Sequence, residues 1–452
     1  MPYIGATPTT QSFIAGTDYF NGTGSQTAFT LTRTVNSVND IEAVVNNVVQ
    51  QPSSAYTISG TTITFTSAPS AGTSNIYVRY LSTTMQSFTV PANSITRNQL
   101  DSNLQSVAIG RNRIINGAMV IDQRNAGASV SATNSAVFPV DRFYTLQSIV
   151  STKFTAQQSS TAPTGFVNSV VCTSNSAYTV GATELFIYRQ SIEGYNVADL
   201  QWGTANAKTV TLSFWVRSSL TGTFGGALNN SASDRSYPFS YTISSANTWE
   251  QKSITIAGDT TGTWLTTNGT GISVTWSLGM GSTYSGTAGA WASGFYGSAT
   301  SATSVVATNG ATFYITGVQL EVGSSATGFE YRQYGTELAL CQRYYEKSYS
   351  IATVPTTSTS AGAVTLFTSS TPNTYMAGSR GFSVSKRLAP GISIYSPSGT
   401  AGTVGNGDTV DYGAGIANQI STSGFSLQNT SGSTYTPSGN LIYFHYIASA
   451  EL

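Results

Sequence analysis

Apolar and polar residues alternate in short runs along most of this chain, with a period of two rather than 3.6, which is the mark of strands with one buried face. In "TITFTSAPSAGTSNIYVRYL" Ile63 and Phe65, then Ile76, Val78 and Tyr80, alternate with polar neighbours. Asn46-Asn47 sits between two valine-rich runs and predicts a tight hairpin, because Asn tolerates positive φ. Ser59-Gly60 predicts a second turn. Residues 1–90 therefore read as a small β-sandwich.

The pattern changes after Val90. In "PANSITRNQLDSNLQSVAIG" Asn93 or Ser94 can cap a helix, and Leu100, Leu104 and Val107 fall at i, i+4, i+7. Residues 91–115 predict a short helical neck whose stripe, about two heptads long, is too small to hold alone in water. Three copies side by side would bury it; a helix lying on a neighbouring domain would do so too. Alternation returns in "TVTLSFWVRSS", where Val210, Leu212, Phe214 and Val216 share a face, and in "GISVTWSLGMG" and "ATFYITGVQLEVG". Residues 116–334 read as an antiparallel sandwich of jelly-roll type. The segment "GTELALCQRYYEKS" fits a helix or a strand. Strands such as "NLIYFHYIAS" make residues 335–452 a C-terminal β tip domain. The fold class is mainly β: several antiparallel sandwich or jelly-roll domains in series, with one coiled-coil-like neck.

Composition supports this. Gly 44, Tyr 25 and Phe 20 suit strands joined by tight turns. Lys plus Arg (19) equals Asp plus Glu (19), so no basic surplus draws the chain to nucleic acid or anionic lipid. No window approaches the roughly 20 apolar residues of a membrane-spanning helix, and the start "MPYIGATPTTQ" lacks the pattern of a secretory signal. Cys172 and Cys341 suit no metal or redox spacing and read as buried thiols rather than a disulfide.

Catalytic chemistry is poorly supplied. The only histidine, His445, lies in a strand where Ile442, Phe444 and Tyr446 point one way and Tyr443, His445 and Ile447 the other. It reads as packing, and no catalytic residue, metal ligand set or cofactor is assigned. Glycoside cleavage needs two acids roughly 5 to 10 Å apart; Asp408 with Asp411, and Glu184 with Glu193, are the nearest pairs, and acids in glycine-rich loops are usually turn formers. Binding fits better. Aromatic rings stack on sugar faces while hydroxyls and amides hold the ring substituents. The glycan-binding candidates are Trp264, Trp276, Tyr284, Trp291 and Tyr296 in the middle block, and Tyr375, Tyr395, Tyr412 and Tyr435 in the last; core or inter-subunit packing is the competing role for each.

Two stretches carry a resemblance. "NRIINGAMVIDQRNAG", with Asn112, Ile115, Asn116, Gly117, Met119, Ile121, Gln123 and Arg124, is followed by Asp141-Arg142-Phe143. It resembles the lead-in of a domain common in phage and prophage tail fibres, of the form N-x-x-I-N-G-x-M-x-I-x-Q-R before a sandwich similar to carbohydrate-binding modules. "GVQLEVGSSATGFEYRQYGTELALCQRYYEKS", with Gln319-Leu320-Glu321, Phe329-Glu330 and Cys341-Gln342-Arg343-Tyr344-Tyr345, is similar to that domain's lead-out. The first module, with "SQTAFTLT" and "IYVRYL", resembles head-proximal modules in fibres of short-tailed phages. The resemblance covers residues 1–348. It implies a homotrimeric receptor-binding tail fibre in the virion, assembled in the host bacterial cytoplasm. Its N-terminal module would dock on phage tail adaptor or nozzle proteins, and its distal domains would meet a host surface polysaccharide or outer-membrane receptor. A glycan-degrading tailspike and an adaptor fibre carrying a separate host-recognition protein are the alternatives. Burying Glu321, Glu330, Arg124, Arg142, Arg332 or Arg343 singly is costly, so lead-in and lead-out are expected to lie side by side with some of these charges paired.

Overall fold

The computed structural model describes residues 16–81, 110–367, 378–405, 411–429 and 441–452. The proposed neck residues Leu100, Leu104 and Val107 lie outside the described residues. The chain is mostly β and divides into two compact units, Met1–Gln99 and Leu100–Leu452.

In the first unit a four-stranded sheet (Thr17–Gly22, Gly72–Tyr80, Ile41–Val45, Val48–Val49) and a three-stranded sheet (Ala28–Thr30, Thr62–Phe65, Tyr56–Ser59) share one core. Ile63, Ile76, Val78 and Tyr56 have no exposed area there. Val45 pairs with Val48 across Asn46 and Asn47, whose φ values are 51° and 64°. The second hairpin closes one residue later than the sequence suggests. Ser59 pairs with Thr62, and Gly60, at φ 59°, takes the first loop position, where a left-handed residue matches the twist of the strands.

The second unit contains a two-sheet sandwich. Its seven-stranded sheet runs in the order Ala292–Ser293, Arg235–Ile243, Gly222–Asn229, Thr270–Met280, Leu185–Glu193, Phe143–Gln147, Val137–Val140. The six-stranded sheet runs Glu250–Ile256, Val210–Ser218, Thr312–Val322, Ser169–Ser174, Phe154–Ser159, Val130–Ser131. Val210, Leu212, Phe214 and Val216 are fully buried, and Phe214 meets Trp276 of the other sheet edge-on at 5.6 Å. Both cysteines are free and buried, Cys172 in this core.

After the sandwich the open segment resolves into both elements: an α-helix, Tyr334–Gln342, then a strand, Tyr345–Lys347. The last strand, Leu441–Ser449, pairs with Tyr345–Lys347, Val364–Phe367, Gly391–Tyr395 and, at one residue, Thr403–Gly405. Ile442, Phe444, Tyr446 and Ala448 fill the core of this β-domain with Val404, Phe425 and Leu427.

Lead-in and lead-out lie side by side. Arg113 N donates to Leu320 O and Val318 N to Gly117 O, each at 2.9 Å. Glu330 accepts from Gly110 N and Asn112 N at 2.7 Å, while Arg332 donates to Asn112 O and to Ile114 O. Asn116 takes φ 60° with its amide bonded to Ile121 N, Ile121 O and Asp141 O. A Cβ on Gly117 would sit 2.1 Å from Val318 O, so only glycine permits this approach. The charges pair as anticipated in kind. Arg111 faces Glu321 at 3.9 Å, and Arg343 grips Glu193 through two bonds of 2.6 and 2.8 Å.

The last β-domain joins the same network. Glu451 accepts from Arg124 at 2.5 Å and from Arg142, and Lys386 pairs with Glu346. Arg124 also lies over the rings of Tyr345 and Phe138. Burial pushes the Glu193 carboxyl up, but bonds from Arg343 and Tyr344 outweigh it and hold it below the usual range. Asp141 is different: burial pushes it up to about 6 against the pull of Arg124.

Candidate glycan-binding cleft

The sandwich strands alternate, so the seven-stranded sheet has a second face turned away from the core. Segment 281–304 folds back across it. Its own Ser285–Gly286 and Ser298–Ala299 pair in parallel, and Ala292–Ser293 joins the sheet edge at Arg235 and Ser236. Asn229 Nδ2 donates to Tyr296 O at 2.9 Å and Ser236 Oγ to Gly294 O at 2.6 Å. A Cβ on Gly225 would stand 2.3 Å from Ser298 Oγ, so glycine in the sheet lets the segment lie close.

The segment itself forms a cleft of about 390 Å³ lined by Ser285, Thr287, Trp291, Tyr296 and Thr300 among others. A second of about 270 Å³ shares Ser285 and Thr300 with it and adds Met280, Ser298 and Ser301. Trp291 is held rigidly. Its Nε1 donates to Ala257 O at 2.7 Å, and its ring meets Trp202 and Trp264 edge-on at 5.3 Å and Tyr237 at 5.2 Å. The lining offers two aromatic rings and a row of hydroxyls, with no carboxylate or histidine. That donor set suits a polyol whose CH face can lie on a ring, and it supplies no acid–base pair. A further cleft of about 380 Å³ lies in the last domain, with Tyr395, Ile392 and Ile416 in its wall.

The sequence candidates fall in different places. Trp291 and Tyr296 meet at the cleft, and Tyr284 stands beside it on Phe295 at 5.4 Å. Trp264 packs against Trp202 at 4.8 Å with its N–H on Thr261 O. Trp276 is a correction: it has no exposed surface and stacks among Phe143, Tyr188 and Phe214, so no sugar can reach its ring. Its inward parity on Thr270–Met280 sets this. Tyr395 lines the cleft of the last domain; Tyr375, Tyr435 and the side chain of Tyr412 lie outside the described residues.

The acids have structural partners. Glu184 accepts from Tyr178 and Gly181, Glu193 is held by Arg343 and Tyr344, and Asp411 accepts from Ser398; Asp408 lies outside the described residues. His445 stacks on Tyr349 at 3.7 Å between Ser348 Oγ and Thr359 O, and burial depresses its pKa. Sequence reasoning missed the hydroxyls Ser285, Thr287, Ser298 and Thr300. In a chain rich in Ser and Thr no local signal marks four of them.

No protein-family model and no curated protein matches this sequence. Among solved structures, the enzymatically active domain of tailspike protein 4 from bacteriophage CBA120 is similar at 11% identity and a TM-score of 0.26, over 47% of this chain and 21% of that one. A CBM4 structure is similar at 13% identity and a TM-score of 0.24, over 46% of this chain and 98% of its own. A family 11 carbohydrate-binding module of a Clostridium thermocellum cellulosomal cellulase matches at 11% and 0.24, over 44% and 98%. The chain thus spans about a fifth of the tailspike's length. These are partial likenesses, and the chemistry of the cleft stands on its own residues.

Proposed function

We propose that this chain is a phage tail fibre that binds a bacterial surface glycan through its middle sandwich. The observation that carries the reading is the cleft formed within segment 281–304, where a rigid Trp291 and Tyr296 stand beside a row of hydroxyls. Such a lining binds sugar without offering an acid and a base to cleave it. The bonded lead-in and lead-out motifs support the assignment to tail fibres, since the motif residues serve the frame of the sandwich and leave its outer face for the ligand. In this reading the fibre is a homotrimer in the virion, docked on tail proteins by its N-terminal module, and three copies raise a weak single-site affinity by avidity.

The test is binding of the full chain to purified host-surface polysaccharide. Trp291→Ala and Tyr296→Ala are expected to weaken binding about five- to thirtyfold each, since an aromatic ring stacked on a ligand contributes on the order of 1–2 kcal/mol. Retained affinity in both variants sinks the cleft. Falling polysaccharide chain length on incubation makes the protein a degrading tailspike. Light scattering that returns a 47.3 kDa monomer removes the trimer and the avidity it brings.

A further inference from the structure

We infer that the binding face carries an anion subsite at Arg189, so that the glycan taken is an acidic one, bearing a carboxylate or phosphate group. This rests on the glycan reading above and names its ligand class. On strand Leu185–Glu193, Phe186, Tyr188 and Ile192 enter the core, which turns Arg189 to the outer face that segment 281–304 crosses. Its Nε donates to Thr275 Oγ1 at 2.7 Å, and its guanidinium lies 5.8 Å from the Phe295 ring centre. Its Nη2 is buried and has no hydrogen-bond partner.

Most other arginines of this unit are held by a carboxylate, and Arg217 and Arg387 by backbone carbonyls. Arg124, Arg142, Arg235, Arg332 and Arg343 each sit against a carboxylate. Among the described residues Arg189 has none. A guanidinium N–H out of water and unpaired costs free energy, and a planar fork of donors beside an aromatic ring is matched to a carboxylate or phosphate.

A second observation lies in the cleft itself. Ser298 has no exposed area, lines the 270 Å³ cavity, and its Oγ has no partner; Asn229 Oδ1, on the same sheet face, is also unpartnered. Phe295 links the two places. Its ring meets Tyr284 at 5.4 Å and Arg189 at 5.8 Å, while the next residue, Tyr296, lines the larger cleft. No acid stands in either lining to repel an anion. A sugar resting on Trp291 and Tyr296 finds hydroxyl partners along the cleft, and its acidic substituent, reaching past the lining, takes the unpartnered Nη2 of Arg189 while Nε stays on Thr275.

The experiment measures binding of the full chain to arrayed tetragalacturonate, to its methyl ester, and to phosphorylated and unphosphorylated forms of one neutral tetrasaccharide. Arg189→Gln, Arg189→Lys and Trp291→Ala are compared with the natural protein, with thermal midpoints confirming that each folds. The expected result is that at least one acidic probe binds about tenfold or more tighter than its neutral match, and that Arg189→Gln loses this preference while keeping the neutral affinity. Arg189→Lys keeps the charge and part of the preference; the carboxylate and phosphate arms tell which anion is read. Equal binding of acidic and neutral probes, or a preference unchanged in Arg189→Gln, overturns the subsite and leaves the glycan reading standing. Binding that survives Trp291→Ala overturns the cleft, and no binding to any probe overturns both.

Discussion

Replacing Glu451 by Gln should destabilise the second unit by about 3 kcal/mol. Glu451 is 11% exposed and accepts from Arg124 and Arg142, of which Arg142 is 2% exposed. Breaking a buried ion pair from one side costs about 3–5 kcal/mol, because the other charge stays behind without a partner. The lower end applies here. Arg124 keeps Asp141 at 3.5 Å, and Arg142 keeps Ser191 O at 2.6 Å and the Tyr344 ring at 3.6 Å. The orphaned charge is the cause, so removing it as well should restore most of the loss. The double variant Arg142→Met with Glu451→Gln is expected within about 1 kcal/mol of the natural protein. Urea unfolding followed by tryptophan fluorescence reads this directly, since all six tryptophans lie between residues 202 and 291. A single-variant loss below about 1 kcal/mol, or a double variant that loses the sum of the singles, refutes the buried-pair reasoning.

Three further outcomes are expected. Asp141, raised by burial from 3.8 to about 6, binds its proton more tightly folded than unfolded, so its contribution improves as pH falls from 7 to 5. The stability of the natural protein relative to Asp141→Asn should therefore rise by about 1 kcal/mol over that range in parallel melts; His445, depressed by burial, works in the opposite sense in both proteins and cancels. Gly117→Ala should cost about 3 kcal/mol or more, because its Cβ would press on a backbone carbonyl that cannot turn aside; a denaturation midpoint close to that of the natural protein would contradict this. Trp276→Leu should lower stability by about 3 kcal/mol and leave glycan affinity intact in the folded protein, the reverse of Trp291→Ala, as calorimetry and binding titration together would show.

Strand parity was legible because it depends on residues two apart. Ile76, Val78, Leu212, Phe214, Ile442 and Phe444 are all inward, as their spacing predicts. The adjacency of lead-in and lead-out was legible because unpaired buried charges demand partners. The identity of those partners was not: Glu193 and Glu451 lie far along the chain from the arginines they hold, and nothing local ties Glu451 to Arg142. Trp276 misled because alternation along its strand does not say which face is the core, and the strand turns this ring inward. The cleft was half legible. Its rings stand out in sequence, but its hydroxyls are gathered by a segment folding back over a sheet, a long-range event that leaves no period behind.

The strand Leu441–Ser449 bonds to four others and supplies the centre of the last core. A ribosome delivers it after every one of its partners. Until then Tyr345–Lys347 and Gly391–Tyr395 have emerged with their edges unpaired, and Arg142 has no Glu451 to meet. The sandwich strands between Val130 and Val322 can pair while synthesis continues, whereas the last β-domain closes only once Leu441–Ser449 has emerged. Nascent chains are thus exposed to edge-to-edge misassociation for that interval, and the yield of soluble protein should depend more on elongation through residues 345–449 than on any earlier segment.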